Sequence, residues 1–390
     1  MMLDWNRASG GAEIYASALC KGLREAGDEV RLLTSSVGTA ADGCADYVAW
    51  GTERKAAQVF LQVVNPFAVA TVRRILRDFR PNVAWINMFA LHLSPAAVLA
   101  LGPLPKVLVV SDYKLLCPMG SKLMPDGSQC IASSGWVCCR EGCVSLPHWL
   151  RDQPRYALIR SAVRGATRVL ACSSWVRDAL AEEGIQAEVG FLPSPSPRPD
   201  FRRRPSSQPT FLFAGRLERE KGVDLLLRAF ARLYQQCPKA RLRIAGRGSQ
   251  QDRLKTLAGD LRIDHAVDFT GWLSLEQLED HLSEAWASVV PSLWAEPQGF
   301  VAVEAILRGI PVLASSTGGL AEMIDHGRSG LLFPAGDESS LLQCLRQVAN
   351  GFAFPNHVLA AAVVRDAAER FSVSRHIHRM REIFTEIAGA

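Results

Sequence analysis

The chain has little that would place it in a membrane or outside the cell. No apolar stretch of the ~18 residues that begin to suggest a membrane span runs without a breaker. The nearest, 84–110, carries Asn87, His92, Pro103, Pro105 and Lys106. The start, Met1-Met2-Leu3-Asp4-Trp5, has no basic residue and no long apolar core, so a secretory leader is not expected and a cytoplasmic setting is. The formal net charge of +5 is too small to argue for nucleic acid. Ten cysteines in such a setting do not imply a disulfide framework. What remains is globular: 390 residues, 48% hydrophobic and 21% charged, enough for two domains of ordinary size.

Strands alternate with helices along the chain. Residues 1–5 read as the end of a first strand, 7–11 as a turn-forming loop, 12–26 as an amphipathic helix ended by Gly27, and 29–34 as a strand. Helices over 66–79 and 94–101 and strands over 83–87 and 106–110 follow, the last leading into Ser111-Asp112. This alternation implies a parallel sheet covered on both faces, with ligands beyond the carboxyl ends of the strands. Gly10-Gly11 at a helix start suits a phosphate or sugar; the plainer reading is a tight turn. Asp112 could face the ligand or only help to form a turn.

Residues 117–143 break the pattern with Pro, Gly, Asp and Ser, and with Cys117, Cys130, Cys138, Cys139 and Cys143. Four thiolates could hold a structural zinc; the spacing lacks the usual paired C-x2-C, and thiols or a reversible disulfide are the alternatives. A helix over 148–167 is lined by Arg151, Arg155, Arg160 and Arg164. Those arginines form a solvated face or rest on an anionic membrane. A strand over 169–172 and a helix over 175–183, capped by Ser173 and Ser174, complete the first half. Residues 193–209, with six prolines and Arg202-Arg203-Arg204, read as a linker.

A second series follows: strands over 210–214, 241–245, 287–290 and 311–314, and helices over 223–236, near Leu254 and Leu278, and over 320–324. The stretch 291–304 is the most informative. Pro291 and Pro297 keep its start irregular, Gly299 permits a turn, and a helix begins at Phe300. A helix N-terminus attracts phosphate, while the carboxylates of Glu296 and Glu304 suit hydroxyl donors. A phosphate flanked by polyols describes a nucleotide sugar; two ordinary solvated acids are the plain alternative. Arg216 and Lys221 follow the strand 210–214 and could offset charge on a leaving phosphate. Thr317-Gly318-Gly319 adds backbone N–H donors.

These residues resemble the retaining glycosyltransferases of family 4, which have the glycosyltransferase-B fold. The resemblance rests on Gly10-Gly11-Ala12-Glu13, Gly215-Arg216-Leu217 with Glu220-Lys221-Gly222, Gly246-Arg247-Gly248, Glu296-x7-Glu304, Gly318-Gly319-Leu320-Ala321-Glu322 and Gly327-Arg328-Ser329-Gly330. It implies an α/β chain of two Rossmann-like doubly wound domains facing a central cleft. The first, 1–192, would bind the acceptor and carry the Cys-rich insertion 117–143. A linker 193–209 would lead to a nucleotide-sugar domain, 210–373, and the helix 374–390 would pack back on the first domain.

The same resemblance gives roles. Arg216 and Lys221 hold the diphosphate, Glu296 the donor sugar and Glu304 the ribose. Gly299, Phe300 and Val301 offer backbone to sugar and phosphate, and Gly11, Gly215, Gly246 and Gly248 complete the donor set. Gly10, Ser111 and Asp112 lie toward the donor sugar or acceptor. The implied reaction needs no metal or other cofactor, and its donor substrate is a nucleotide-diphosphate sugar. The implied partners are that donor and a glycan or lipid-linked acceptor in cell-surface polysaccharide synthesis, with peripheral contact at the inner face of the membrane and no nucleic acid. Ser111 stands where the family often has histidine, Gln298 where many members have phenylalanine, and the first strand looks clipped. A non-catalytic nucleotide-sugar-binding module and a sugar-nucleotide epimerase of the same fold are the alternatives.

Overall fold

A computed structural model of the protein describes residues 1–4, 11–38, 45–194 and 196–389. The chain forms two compact units: Met1–Pro125, Ile131–Pro193 and Val373–Ala390 make the first, and Asp126–Cys130 and Ser194–Ser372 the second.

The strands of the first unit are β1 (Met2–Leu3), β2 (Leu33–Ser35), β3 (Tyr47–Ala49), β4 (Ala84–Asn87), β5 (Lys106–Val110), β6 (Arg168–Ala171) and β7 (Glu188–Val189). Its helices are α1 (Gly11–Glu25), α2 (Lys55–Leu61), α3 (Pro66–Asp78), α4 (Pro95–Leu99), α5 (Val137–Arg140), α6 (Leu146–Arg164) and α7 (Ser174–Glu182). The strands pair in parallel in the order β3-β2-β1-β4-β5-β6-β7. Central β5 is buried along its whole length, as expected for a strand covered on both faces. Asp4, at the end of β1, has a buried carboxylate that accepts the N–H groups of Leu91, His92 and Leu93 at 2.7–2.9 Å. It fixes the loop after β4.

The second unit contains β8 (Thr210–Ala214), β9 (Arg241–Ala245), β10 (Val267–Gly271), β11 (Ala287–Val290), β12 (Val312–Ser315) and β13 (Gly330–Phe333). Its helices are α8 (Val223–Tyr234), α9 (Gln251–Asp260), α10 (Leu275–Glu284), α11 (Phe300–Leu307), α12 (Leu320–Met323), α13 (Glu338–Ala349) and α14 (Ala361–Arg370). The sheet is again parallel, in the order β10-β9-β8-β11-β12-β13. Each sheet thus winds outward in both directions from one strand, β1 or β8, and ligands on such sheets sit where the order reverses. In the second unit that point lies between the loops after β8 and β11.

The last helix, α15 (Val373–Ala388), packs on α1 of the first unit. The approach is close: a Cβ on Gly22 would lie 2.0 Å from Ile377 Cδ1. Tyr15 Oη and His376 Nε2 are 2.7 Å apart, with Trp85 edge-on to the Tyr15 ring.

Several expectations are corrected. Only the end of 29–34 becomes a strand, β2, because side chains take the backbone groups before it. Arg24 Nη2 donates to Val30 O at 2.9 Å, and Leu32 N donates to Asp46 Oδ2 at 2.7 Å. The zinc offered as one reading of Cys117, Cys130, Cys138, Cys139 and Cys143 has no site: among the described residues no three metal-ligating side chains gather. Cys138 and Cys139 are neighbours on the short α5, so their side chains diverge, and Cys130 belongs to the second unit. The arginines of α6 are not one face, since Arg155 is buried and donates to Ala90 O at 3.1 Å. Residues 193–209, expected as a linker, are held in place: Arg203 donates to the carbonyls of Leu282, Ser283, Ala285 and His357.

Burial pushes the His376 imidazole from its ordinary 6.5 down to about 4. The unfolded chain takes up this proton below pH 6.5 and the folded chain does so only near pH 4, so stability is lost as pH falls through that window. Urea titrations at pH 7 and pH 5 are expected to differ by about 2 kcal/mol from this group. His376→Phe is expected to shrink the difference by that amount.

Candidate functional site

The loops after β8 and β9 are zipped together. Leu217 N donates to Arg247 O at 2.9 Å and Gln250 N to Leu217 O at 2.9 Å. The contact requires glycine: a Cβ at Gly246, where φ is +143°, would lie 1.8 Å from Gly215 O, and one at Gly248 2.4 Å from Leu217 O. Gly215, Gly246 and Gly248, taken from the sequence as donor-binding, therefore meet one another and shape this double loop.

The loop after β8 then turns toward the loop after β11. A single 3-10 turn, Arg219–Lys221, ends at Gly222 with φ +65°. A Cβ there would lie 2.0 Å from Pro291 O. Leu293 N donates to Glu220 O at 2.8 Å and locks the two loops. Although irregular, 291–299 is buried except at Leu293, so its polar groups need partners.

Glu296 finds them. Its Oε1 accepts from Lys221 Nζ at 2.5 Å and from Ser292 Oγ at 2.7 Å. Burial alone would raise this carboxyl. The Lys221 charge and the hydrogen bonds from Lys221, Ser292 and Trp294 outweigh that and hold it below its ordinary value. The Lys221 ammonium also lies 5.0 Å from the centre of the Trp294 ring. The Glu296 carbonyl accepts Gly319 N at 2.7 Å, which ties in the Thr317-Gly318-Gly319 loop after β12.

Gly299, at φ +86°, opens α11, and the half-exposed Phe300 and Val301 form its first turn. Glu304 lies about one turn further on. The residue is half-buried, and desolvation of its carboxyl by the surrounding protein raises its pKa. Arg308 opposes the rise and Glu279 adds to it. Arg308 anchors the helix from below: fully buried, it donates through Nε to Glu279 Oε1 at 2.9 Å and through Nη1 to Glu304 O at 3.0 Å. Arg216 differs, with 64% of its side chain exposed and one bond, 3.1 Å to Glu220 Oε1.

In the first unit, Gly11 begins α1 and Gly10 lies outside the described residues. Ser111 Oγ donates to Asn87 Oδ1 at 3.0 Å, and Asp112 accepts Lys114 N at 2.9 Å and pairs with its ammonium at 3.4 Å. These groups line a small cavity at the ends of β4 and β5. The fold thus sets Lys221, expected on the diphosphate, against Glu296, expected on the donor sugar, and adds Ser292, Trp294, Glu220 and Asn87, to which sequence reasoning assigns no role. The i, i+2, i+4 spacing of Ser292, Trp294 and Glu296 and the single polar residue ending β4 are the signals it could have used.

Two family models match the chain: a glycosyl transferase 4-like domain over residues 10–193 and glycosyl transferases group 1 over residues 198–355. Over 193 residues, 48% of this chain, it is 36% identical to a glycogen synthase of Mycobacterium tuberculosis (strain ATCC 25618 / H37Rv), and over 174 residues, 41% of this chain, 36% identical to a D-inositol 3-phosphate glycosyltransferase of Nocardioides sp.. These matches span 46% and 38% of the two relatives, so the chain covers less than half the length of either. Among solved structures, sucrose-phosphate synthase from Thermosynechococcus elongatus superimposes with TM-score 0.72 at 20% identity, covering 99% of this chain and 98% of that one. Anabaena Alr3699/HepE, solved in complex with UDP-glucose, gives 0.69 at 19% identity over 99% and 98% of the two chains. At such identity these structures establish the glycosyltransferase-B fold.

Removing one partner of a buried ion pair leaves an uncompensated charge. Lys221→Met is therefore expected to destabilise the second unit by about 3 kcal/mol in urea unfolding. The double variant Lys221→Met/Glu296→Gln is expected to recover most of that loss, and simple additivity of the two single changes would show that the pair is not coupled.

Proposed function

The chain belongs to the group 1 glycosyl transferases, and from that premise we propose that it moves a sugar from a nucleotide-diphosphate donor to a glycan or lipid-linked acceptor, without a metal and with retention of configuration. The second unit takes the donor and the first unit the acceptor. The setting is cell-surface polysaccharide assembly, on the cytoplasmic side of the membrane. The observation that carries this reading is the Lys221–Glu296 pair at the switch point of the second sheet, beside the N-terminus of α11.

The chemistry follows from charge. The bond between the sugar carbon and the diphosphate oxygen breaks, and its electron pair stays on the phosphate. Lys221 and Arg216 offset that charge, as do the backbone N–H groups at the start of α11. The acceptor oxygen bonds to the same face of the sugar carbon, and its proton goes to the departing phosphate. Glu296, kept ionised by its partners, accepts a sugar hydroxyl, and Glu304 accepts from the ribose. The nucleotide sugar in the Alr3699/HepE complex supports such a donor.

One observation favours a binding module without turnover: Ser111 cannot carry a proton as histidine can, and its hydroxyl is committed to Asn87.

Purified protein incubated with a panel of nucleotide sugars is expected to be stabilised thermally by one base and to hydrolyse one donor slowly. Glu296→Gln is expected to lower that rate at least about tenfold when assayed below its unfolding range, since loss of the buried pair also costs stability. Glu304→Ala is expected to weaken nucleotide binding by about tenfold. Because the Glu304 pKa is raised, nucleotide affinity is expected to fall as pH drops toward the carboxylate range, and Glu304→Gln to remove that dependence. Stabilisation by nucleotide without turnover, even with lipid-linked acceptors, would establish the binding module. No response to any nucleotide would sink the donor site.

A further inference from the structure

The first unit carries an apolar surface that its described residues cover only in part. The helix α2, Lys-Ala-Ala-Gln-Val-Phe-Leu, contains no buried residue. Four large side chains stand out around it: Trp50 at 48% exposure, Phe60 at 76%, Val64 at 48% and Phe67 at 51%. They are neighbours rather than scattered residues. The Trp50 and Phe67 rings meet edge-on at 5.2 Å, Val64 N donates to Phe60 O, and Asn65 Nδ2 donates to Trp50 O at 2.8 Å. Isolated exposed apolar residues are ordinary; a contiguous group built partly on its own helix marks a contact surface.

The charge beside the patch selects the partner. Arg54 and Lys55 open α2 and both are exposed, as is Glu53 just before them, so that with Arg73 the rim is mixed but net positive. Neither Arg54 nor Lys55 makes an ion pair among the described residues, and the same holds for Arg73 on the exposed side of α3. Aromatic and aliphatic side chains rimmed by unpaired cations suit an anionic lipid surface, where rings sit at headgroup depth and cations meet phosphate. A protein partner of matching shape would have to offer both an apolar socket and three carboxylates.

The patch rests on the bilayer and does not cross it. No single described helix is long and apolar enough to span; α2 and α3 would suffice only together, but they meet at 45° and α3 buries Ala68 and Val72 in the unit. The basic helix α6, which the sequence suggested for this role, turns Arg155 inward.

We propose that Trp50, Phe60, Val64 and Phe67, with Arg54 and Lys55, form the surface by which the first unit docks on an anionic bilayer. The patch adjoins the loops at the carboxyl ends of β3 and β4, because Asn65 Nδ2 bridges Trp50 O and His92 O. Docking there would bring a lipid-linked acceptor to the same end of the sheet. The docking itself is independent of the transfer reaction, since it needs neither donor nor acceptor.

The test is flotation of the full chain with vesicles of phosphatidylglycerol and phosphatidylcholine against phosphatidylcholine alone. The chain is expected to float with the anionic vesicles and to be released by salt. Phe60→Ser/Phe67→Ser is expected to cut the bound fraction about tenfold with an unchanged melting temperature, since neither side chain is in the core. Arg54→Glu/Lys55→Glu is expected to abolish the preference for anionic vesicles. Failure of the wild-type chain to float with anionic vesicles, or flotation of the double serine variant at the wild-type level, overturns the proposal. So does a dimer in sedimentation that Phe60→Ser/Phe67→Ser dissolves, because a second copy would then be the occupant.

Discussion

A carboxylate cannot stay ionised inside a protein without a counter-charge and hydrogen bonds, and the second unit is arranged around meeting that condition for Glu296. Lys221 supplies the charge from the loop after β8, and Ser292 and Trp294 supply hydrogen bonds from the loop after β11. The Gly319 N–H binds the Glu296 carbonyl from the loop after β12. Three strand ends are thereby held to one another through a single residue. The close passage of Gly222 under Pro291 and the bond from Leu293 to Glu220 serve the same end. A loop with two prolines and no regular structure is thereby tied to its neighbours at several points.

Much of the second unit was legible because local chemistry and tertiary role agree there. The apolar runs 210–214, 241–245 and 287–290 become β8, β9 and β11 with those bounds, and the helix expected from Phe300 is α11. The first unit was less legible. Its β2 is displaced because Arg24 and Asp46 hold the backbone that periodicity assigns to a strand. Arg155 looks like one of a series of surface arginines until the fold places Ala90 O beside it. At 193–209 composition reads as a linker but does not say how the segment is held. The Arg203 guanidinium reaches four carbonyls contributed by segments far along the chain, a destination that spacing cannot reveal.

The candidate site shows the same division. Motif spacing finds the charged residues, because their chemistry is explicit. It does not say what they touch. The resemblance gives Lys221 to the diphosphate and Glu296 to the donor sugar, yet in the folded chain they face each other. Arg216 is the opposite case, a cation left largely in water and available to an anion. The resemblance puts the glycines of the loops after β8 and β9 in the donor set; in the fold they let two backbones touch.

The Glu279–Arg308 pair has an implication for how this chain can change over generations. Both side chains are wholly enclosed, and Arg308 also binds the carbonyl of Glu304, at the centre of the candidate site. Loss of Glu279 strands the fully buried Arg308, and loss of Arg308 leaves Glu279 with the partly exposed Arg198 alone, 3.4 Å away. Single-step substitutions at 279 or 308 are therefore blind alleys. Drift between an ionic and an apolar anchor for α11 requires two changes to arrive together, so among descendants of this chain the two positions should be inherited as one character.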